Sequence, residues 1–76
     1  MKLHLAGHLN WYDHQNRSWL EVKIETPSLL PDLLAQFGIP PGEVAIALLS
    51  GQPVDVTSAV LADTDVLELY PPSSGG

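Results

Sequence analysis

The sequence predicts a two-layer α+β domain in which one short helix lies across a mixed sheet of four or five strands. Three observations lead there. Apolar and polar residues alternate near both ends of the chain, around Leu3 and Leu5 and again around Leu67 and Leu69, the period of two expected of half-buried strands. Between them Leu30, Leu33, Leu34 and Phe37 change to helical spacing. The chain has 76 residues and no cysteine, which is room for one domain held by apolar packing and backbone pairing without disulfides.

The elements follow in order. Leu3, Leu5 and Leu9 alternate with Lys2, His4 and His8 as a first strand. Residues 10–18 break the pattern and read as a polar loop. Alternation returns with Leu20, Val22 and Ile24 inward and Trp19, Glu21, Lys23 and Glu25 outward, so the two strands are expected to form a hairpin. Ser28 is a candidate helix cap, with Pro31 at the third helical position, where its missing N–H is not needed. Gly38 follows Phe37 as the expected C-cap, and Pro40-Pro41 prevents resumption. Val44 to Leu49 is apolar at every position, which predicts a strand covered on the helix face and at least partly on the other. Ser50-Gly51-Gln52-Pro53 turns the chain, and Val54 and Val56 suggest a short strand. A tight turn at Asp63-Thr64-Asp65 leads into a last strand, Val66 to Tyr70, with Leu67 and Leu69 inward and Val66, Glu68 and Tyr70 outward. Strand, strand, helix, strand, short strand, strand is the β-grasp order, with the N-terminal strand expected beside the C-terminal one at the sheet centre.

Charge narrows the partners. Three basic residues, Lys2, Arg17 and Lys23, stand against nine acidic ones, a formal net charge of −6. Nucleic-acid binding draws on several lysines or arginines to displace counterions from phosphates, and anionic membranes ask for the same, so neither is an expected partner. A protein with a basic cleft is. The N-terminal stretch is too polar for a signal-peptide core, and a cytoplasmic location is the expectation.

The last residues carry the chemistry. Pro71-Pro72 is stiff and extended, and Ser73-Ser74-Gly75-Gly76 offers almost nothing to pack. Residues 1–72 therefore read as the domain and 73–76 as a tail. Gly75-Gly76 suits a tunnel too narrow for any Cβ, with a carboxylate presented at its end. A carboxylate is a poor electrophile until it is activated, for example as an acyl-adenylate. Sulfur would then give a thiocarboxylate and an amine would give an isopeptide. Neither route asks for a catalytic side chain from this chain, so it reads as a substrate of other enzymes and not as an enzyme.

Leu49-Ser50-Gly51-Gln52-Pro53-Val54, Leu61-Ala62-Asp63-Thr64-Asp65-Val66 and Leu69-Tyr70-Pro71-Pro72-Ser73-Ser74-Gly75-Gly76 together resemble the MoaD/ThiS family of ubiquitin-like sulfur carriers, nearest the molybdopterin synthase small subunit. The family has Asn-Gly where this chain has Ser50-Gly51, Asp-Gly-Asp where it has Asp63-Thr64-Asp65, and Pro-Pro-x-x-Gly-Gly at residues 71–76. Thr64 in place of glycine means that its turn either avoids positive φ or accepts strain. The resemblance implies that an E1-like enzyme adenylates Gly76 with ATP and that a sulfur-donor protein converts it to a thiocarboxylate. The tail, Pro71 through Gly75, would then thread into the molybdopterin synthase large subunit or an equivalent. Sulfur would pass there to a pterin precursor, forming the dithiolene that holds molybdenum or tungsten. Val66, Glu68 and Tyr70 would face the partner. The resemblance implies no bound cofactor, since ATP is used by the activating partner. Related carriers serve thiamine or tRNA thiolation, and ubiquitin-like modifiers are conjugated to proteins through the glycine corresponding to Gly76; these remain alternatives.

Other residues have two readings each. Trp11, Tyr12 and Trp19 either form an aromatic contact surface or cover the end of the core. His4 and His8 on one strand face would stand roughly 13 Å apart, too far for one metal ion. The acidic residues, Asp13 among them, read as a solubilising surface, with Asp63 and Asp65 also suited to a turn.

Overall fold

The computed structural model describes residues 1–72, and the tail residues Ser73, Ser74, Gly75 and Gly76 lie outside the described residues. Its strands are β1 (Lys2–Leu5), β2 (Trp19–Glu21), β3 (Ser28–Leu29), β4 (Ile46–Leu49), β5 (Gln52–Val54), β6 (Val60–Leu61) and β7 (Val66–Tyr70), with one α-helix, α1 (Leu30–Phe37). Five strands form a mixed sheet in the order β2-β1-β7-β4-β5. β7 runs parallel to β1, with Leu3 opposite Leu67 and Leu5 opposite Leu69, and antiparallel to β4, with Ala47 opposite Leu69. Helix α1 covers one face. This is the expected α+β fold in a β-grasp-like arrangement, with the N- and C-terminal strands at its centre.

The core is built mainly of leucine. Leu3, Leu5, Leu67 and Leu69 supply the sheet side and Leu30, Leu33 and Leu34 the helix side, all buried. A helix of eight residues is marginal in isolation, so this shared burial is what holds α1. Gly38 ends it at φ 72°, donating its N–H to Leu34 O and Ala35 O. The next residue, Ile39, buries its side chain and donates to Leu34 O at 2.9 Å, a left-handed cap closed by an apolar contact.

Several elements differ from expectation. The first strand stops at Leu5; Gly7, at φ 56°, turns the chain into a 3-10 helix over Gly7–Tyr12. Leu9 is fully buried, but from that helix and not from a strand. The β2 ladder ends at Glu21, where Val22 N–H donates to Met1 O at 2.8 Å and Ile24 N–H to Asp63 Oδ1 at 2.8 Å. Val22 and Ile24 stay half-buried against the core as expected.

Ser28 does not cap α1. It lies in β3, which pairs with β6 in a second, two-stranded sheet, and its hydroxyl donates to Thr26 O at 2.9 Å. Leu29 occupies the cap position without a side-chain hydrogen bond, which places Pro31 in the first turn one residue earlier than expected; Leu30 N–H is satisfied by Ala59 O at 2.9 Å. The short fifth strand ends at Val54 and does not reach Val56.

Two turns show how the backbone manages its tight corners. Ser50 and Gly51 form the two-residue link between β4 and β5, with φ 49° and 86°, the positive pair that such hairpins favour. Ser50 holds this conformation by donating its N–H to Val66 O at 2.7 Å. Thr64 has no positive φ; its turn is closed by Asp65 N–H to Ala62 O at 3.0 Å and by Ala62 N–H to Asp65 Oδ2 at 2.8 Å. The Asp63-Thr64-Asp65 turn avoids strain without a glycine. No helix among the described residues is long and apolar enough to cross a membrane.

Candidate functional site

The face of the sheet away from α1 gathers the residues expected to meet a partner. Val66, Glu68 and Tyr70 all point to it, because Leu67 and Leu69 take the core side. Register then fixes their neighbours. Trp19, His4, Glu68, Leu48 and Pro53 stand in one row across five strands, and Tyr70 stands opposite Ile46 in the next. Trp19, at the β2 edge of its row, and Ile46 on β4 are each 52% exposed, which is large for apolar side chains on a sheet.

The outer face of the run Val44–Leu49 is therefore covered only in part, with Leu48 half-buried. Val44 and Ala47 are buried, while Ile46 opens to solvent, because among the described residues the only helix across the sheet is α1 on the opposite side. His4, Ile46 and Leu48 belong to this surface and were not singled out for it in the sequence, whereas Trp19 already carried a contact reading. The signal available was strand parity. Once β1 and β7 are neighbours, every even-numbered residue of β1 and β4 shares the face of Glu68.

Ring contacts order the aromatic part. His4 stacks on Trp19 with centroids 4.4 Å apart and an interplanar angle of 23°, and Tyr70 meets His4 edge-on at 5.9 Å. His4 Nδ1 lies 3.0 Å from Ser18 O. Tyr70 donates its hydroxyl proton to Glu68 Oε1 at 2.7 Å. That hydrogen bond, with burial and the carboxylate charge, raises the phenol above its ordinary value, so Tyr70 stays a neutral donor. Of the other aromatics, Tyr12 packs partly against the core, whereas Trp11 is 75% exposed on the 3-10 helix after β1. Trp11 and Trp19 are thus exposed and do not cover the core, whereas Tyr12 does so in part.

β7 delivers the chain to its exit between β1 and β4. Ala6 N–H donates to Leu69 O at 3.0 Å and Ala45 N–H to Tyr70 O at 2.8 Å. The strand is held on both sides to its last residue, and Pro71 and Pro72 follow it directly. Of the expected site residues, Val66, Glu68 and Tyr70 share one face of β7 and Pro71 and Pro72 follow in the chain; Ser73, Ser74, Gly75 and Gly76 lie outside the described residues.

His4 and His8 do not share a strand face. His8 is on the 3-10 helix, its Nε2 3.0 Å from Glu43 Oε2. Among the described residues no group of three or more His, Asp or Glu side chains could hold a metal ion.

Asp13 is not part of a solubilising surface. It is 4% exposed and organises the loop before β2. Oδ2 accepts from Arg17 Nε at 2.9 Å and Arg17 N–H at 3.0 Å, and Oδ1 accepts from Arg17 Nη2 at 3.0 Å. Arg17 side-chain and backbone donors hold its carboxyl well below the usual range. Asp55 is lowered by the Thr57 hydroxyl and N–H. Asp63 is lowered by Ile24 N–H and then by the Met1 amine.

All three shifts have one sign. A carboxylate with a depressed folded-state pKa contributes stability that is fully present above its unfolded value, about 3.9, and is lost as pH falls through the folded one. Thermal midpoints should stay level from pH 7 to 5 and then fall steeply below about pH 4. Asp13→Asn should flatten part of that acid limb; an unchanged limb in the variant would remove Asp13 as a cause.

A scan of protein-family models gives no match to this chain, and no curated protein matches it.

Proposed function

We propose that the protein is a sulfur carrier, activated at Gly76 and converted there to a thiocarboxylate, most directly for a molybdenum or tungsten pterin cofactor. The observation that carries this reading is the sequence Pro-Pro-Ser-Ser-Gly-Gly at residues 71–76, set directly after the central strand of a β-grasp-like sheet. The mixed aromatic and aliphatic surface beside that strand supports it, since Trp and Tyr concentrate where proteins dock.

The chemistry divides between this chain and its partners. A Gly76 carboxylate oxygen attacks the α-phosphorus of ATP on an E1-like enzyme, and pyrophosphate leaves. The terminal sulfur of a donor protein's persulfide attacks the acyl carbon of the adenylate, expelling AMP and leaving an acyl disulfide. A second thiol attacks the donor-side sulfur of that bond; the thiocarboxylate departs with the electron pair, and the two thiol sulfurs end as a disulfide. The carrier's own residues position: Tyr70, Glu68 and Val66 face the partner, while Pro71 and Pro72 keep the reactive end away from the sheet.

Incubation with ATP, the E1-like enzyme encoded by the same organism and a persulfide donor should shift the intact mass by the difference between one sulfur and one oxygen, with the change mapping to Gly76. A mass that never moves with any such enzyme ends the reading. Adducts to lysines of other proteins through Gly76, without a thiocarboxylate, would make it a protein modifier instead.

A further inference from the structure

Gly7 sits at φ 56°, and a Cβ built on it would stand 2.9 Å from Pro71 Cγ and 3.5 Å from Pro71 Cδ. Carbon atoms in contact prefer about 3.5–4.0 Å, so the Pro71 ring occupies the space that a side chain at position 7 would fill. The surroundings of this contact are held firmly. Leu9, two residues on, is fully buried and donates its N–H to Ala6 O at 3.1 Å, and Ala6 is itself bonded to Leu69 O at 3.0 Å.

The other side of the exit is tied to the same place. β4 is antiparallel to β7, so the 3-10 turn Pro41–Glu43 that precedes it lies beside the end of β7. His8 and Glu43, 3.0 Å apart, join the turn after β1 to the turn before β4. Pro71 therefore leaves the sheet against a braced shelf.

We propose that Gly7 is a positioning residue for the tail. By having no side chain it lets the Pro71 ring seat on the turn, and that seat sets the direction in which Pro72 leaves the sheet. The consequence for activation rests on the sulfur-carrier reading; the seat itself does not.

Gly38 provides the control. Its φ is 72°, yet nothing lies within 4 Å of a Cβ built there, so Gly38→Ala carries the left-handed strain without touching the exit. Full-length wild type, Gly7→Ala, Gly38→Ala and Pro71→Ala would be compared by NMR and by ATP–pyrophosphate exchange with the organism's E1-like enzyme. The Gly7–Pro71 cross-peaks should be present in wild type and Gly38→Ala and lost in Gly7→Ala, with shifts at residues 70–72. KM for the carrier should rise on the order of tenfold to a hundredfold in Gly7→Ala, the scale of a misplaced reacting end, while Gly38→Ala keeps the wild-type KM at a comparable loss of thermal midpoint. Pro71→Ala, which leaves Gly7 intact, should raise KM in the same direction, and the double variant should lose no more than the worse single one.

Gly7→Ala that keeps the cross-peaks, or that behaves like Gly38→Ala in the exchange assay, overturns the proposal. Should Gly7→Ala fail to fold, an unchanged KM in Pro71→Ala overturns it equally. Wild type that is never adenylated, while Gly7→Ala displaces Pro71, leaves the seat standing and removes the sulfur-carrier reading instead.

Discussion

Gly76→Leu should lower ATP-dependent activation of this chain by about a hundredfold or more, the loss that a displacement of roughly 1 Å at a reacting centre already brings. The side chain adds a branched group beside the carbonyl that must meet the α-phosphorus of ATP. If the end is received in a channel shaped for unsubstituted backbone, that group excludes it from the reactive position. Gly76→Ala, with one methyl, should fall between wild type and leucine, and Ser73→Ala should stay close to wild type because it adds no volume. Initial rates of pyrophosphate exchange at saturating ATP give the ranking, with thermal melts as the control for folding. A leucine variant activated at the wild-type rate would remove the narrow-channel argument and with it the role assigned to the glycine pair.

The sequence was most readable where side-chain parity is decisive. Alternation at Leu67 and Leu69 put Val66, Glu68 and Tyr70 outward without any knowledge of neighbours, and the structure agrees. Parity states which side is buried, though not which backbone carries it. Leu9 is buried as its spacing suggested, yet it gets there through a 3-10 helix that begins at a positive-φ glycine. Ser28 had the composition of a cap and was drawn instead into pairing with Leu61, a long-range choice that local preference does not encode.

The full extent of the exposed sheet face was less legible for the same reason. Ile46 sits in an unbroken apolar run, and only the placement of a single helix on one face of the sheet reveals that it opens to solvent. Asp13 looked like one acid among nine; its partner four residues later, Arg17, was the available signal.

The largest stability effect should come from Leu69→Ala. Leu69 is fully buried at the centre of the sheet, opposite Leu5 on one side and Ala47 on the other, so neither neighbouring strand can readily close over the space left behind. Such truncations cost about 2–5 kcal/mol, transfer and cavity contributions together. Domains have roughly 5–15 kcal/mol in all, and one of this size stands near the lower end. At about 4–8 °C per kcal/mol for chains of this length, the midpoint should fall by tens of degrees. Ile46→Ala, one position from Ala47 but on the open face, should change stability by no more than about 0.5 kcal/mol while weakening docking to the activating enzyme. Urea melts paired with a binding assay would separate the two, since the same strand pair presents one residue to the core and another to the open face. Equal losses of stability in both variants would mean that the outer face is covered in the folded protein, and would strip the aromatic surface of its role as a docking site.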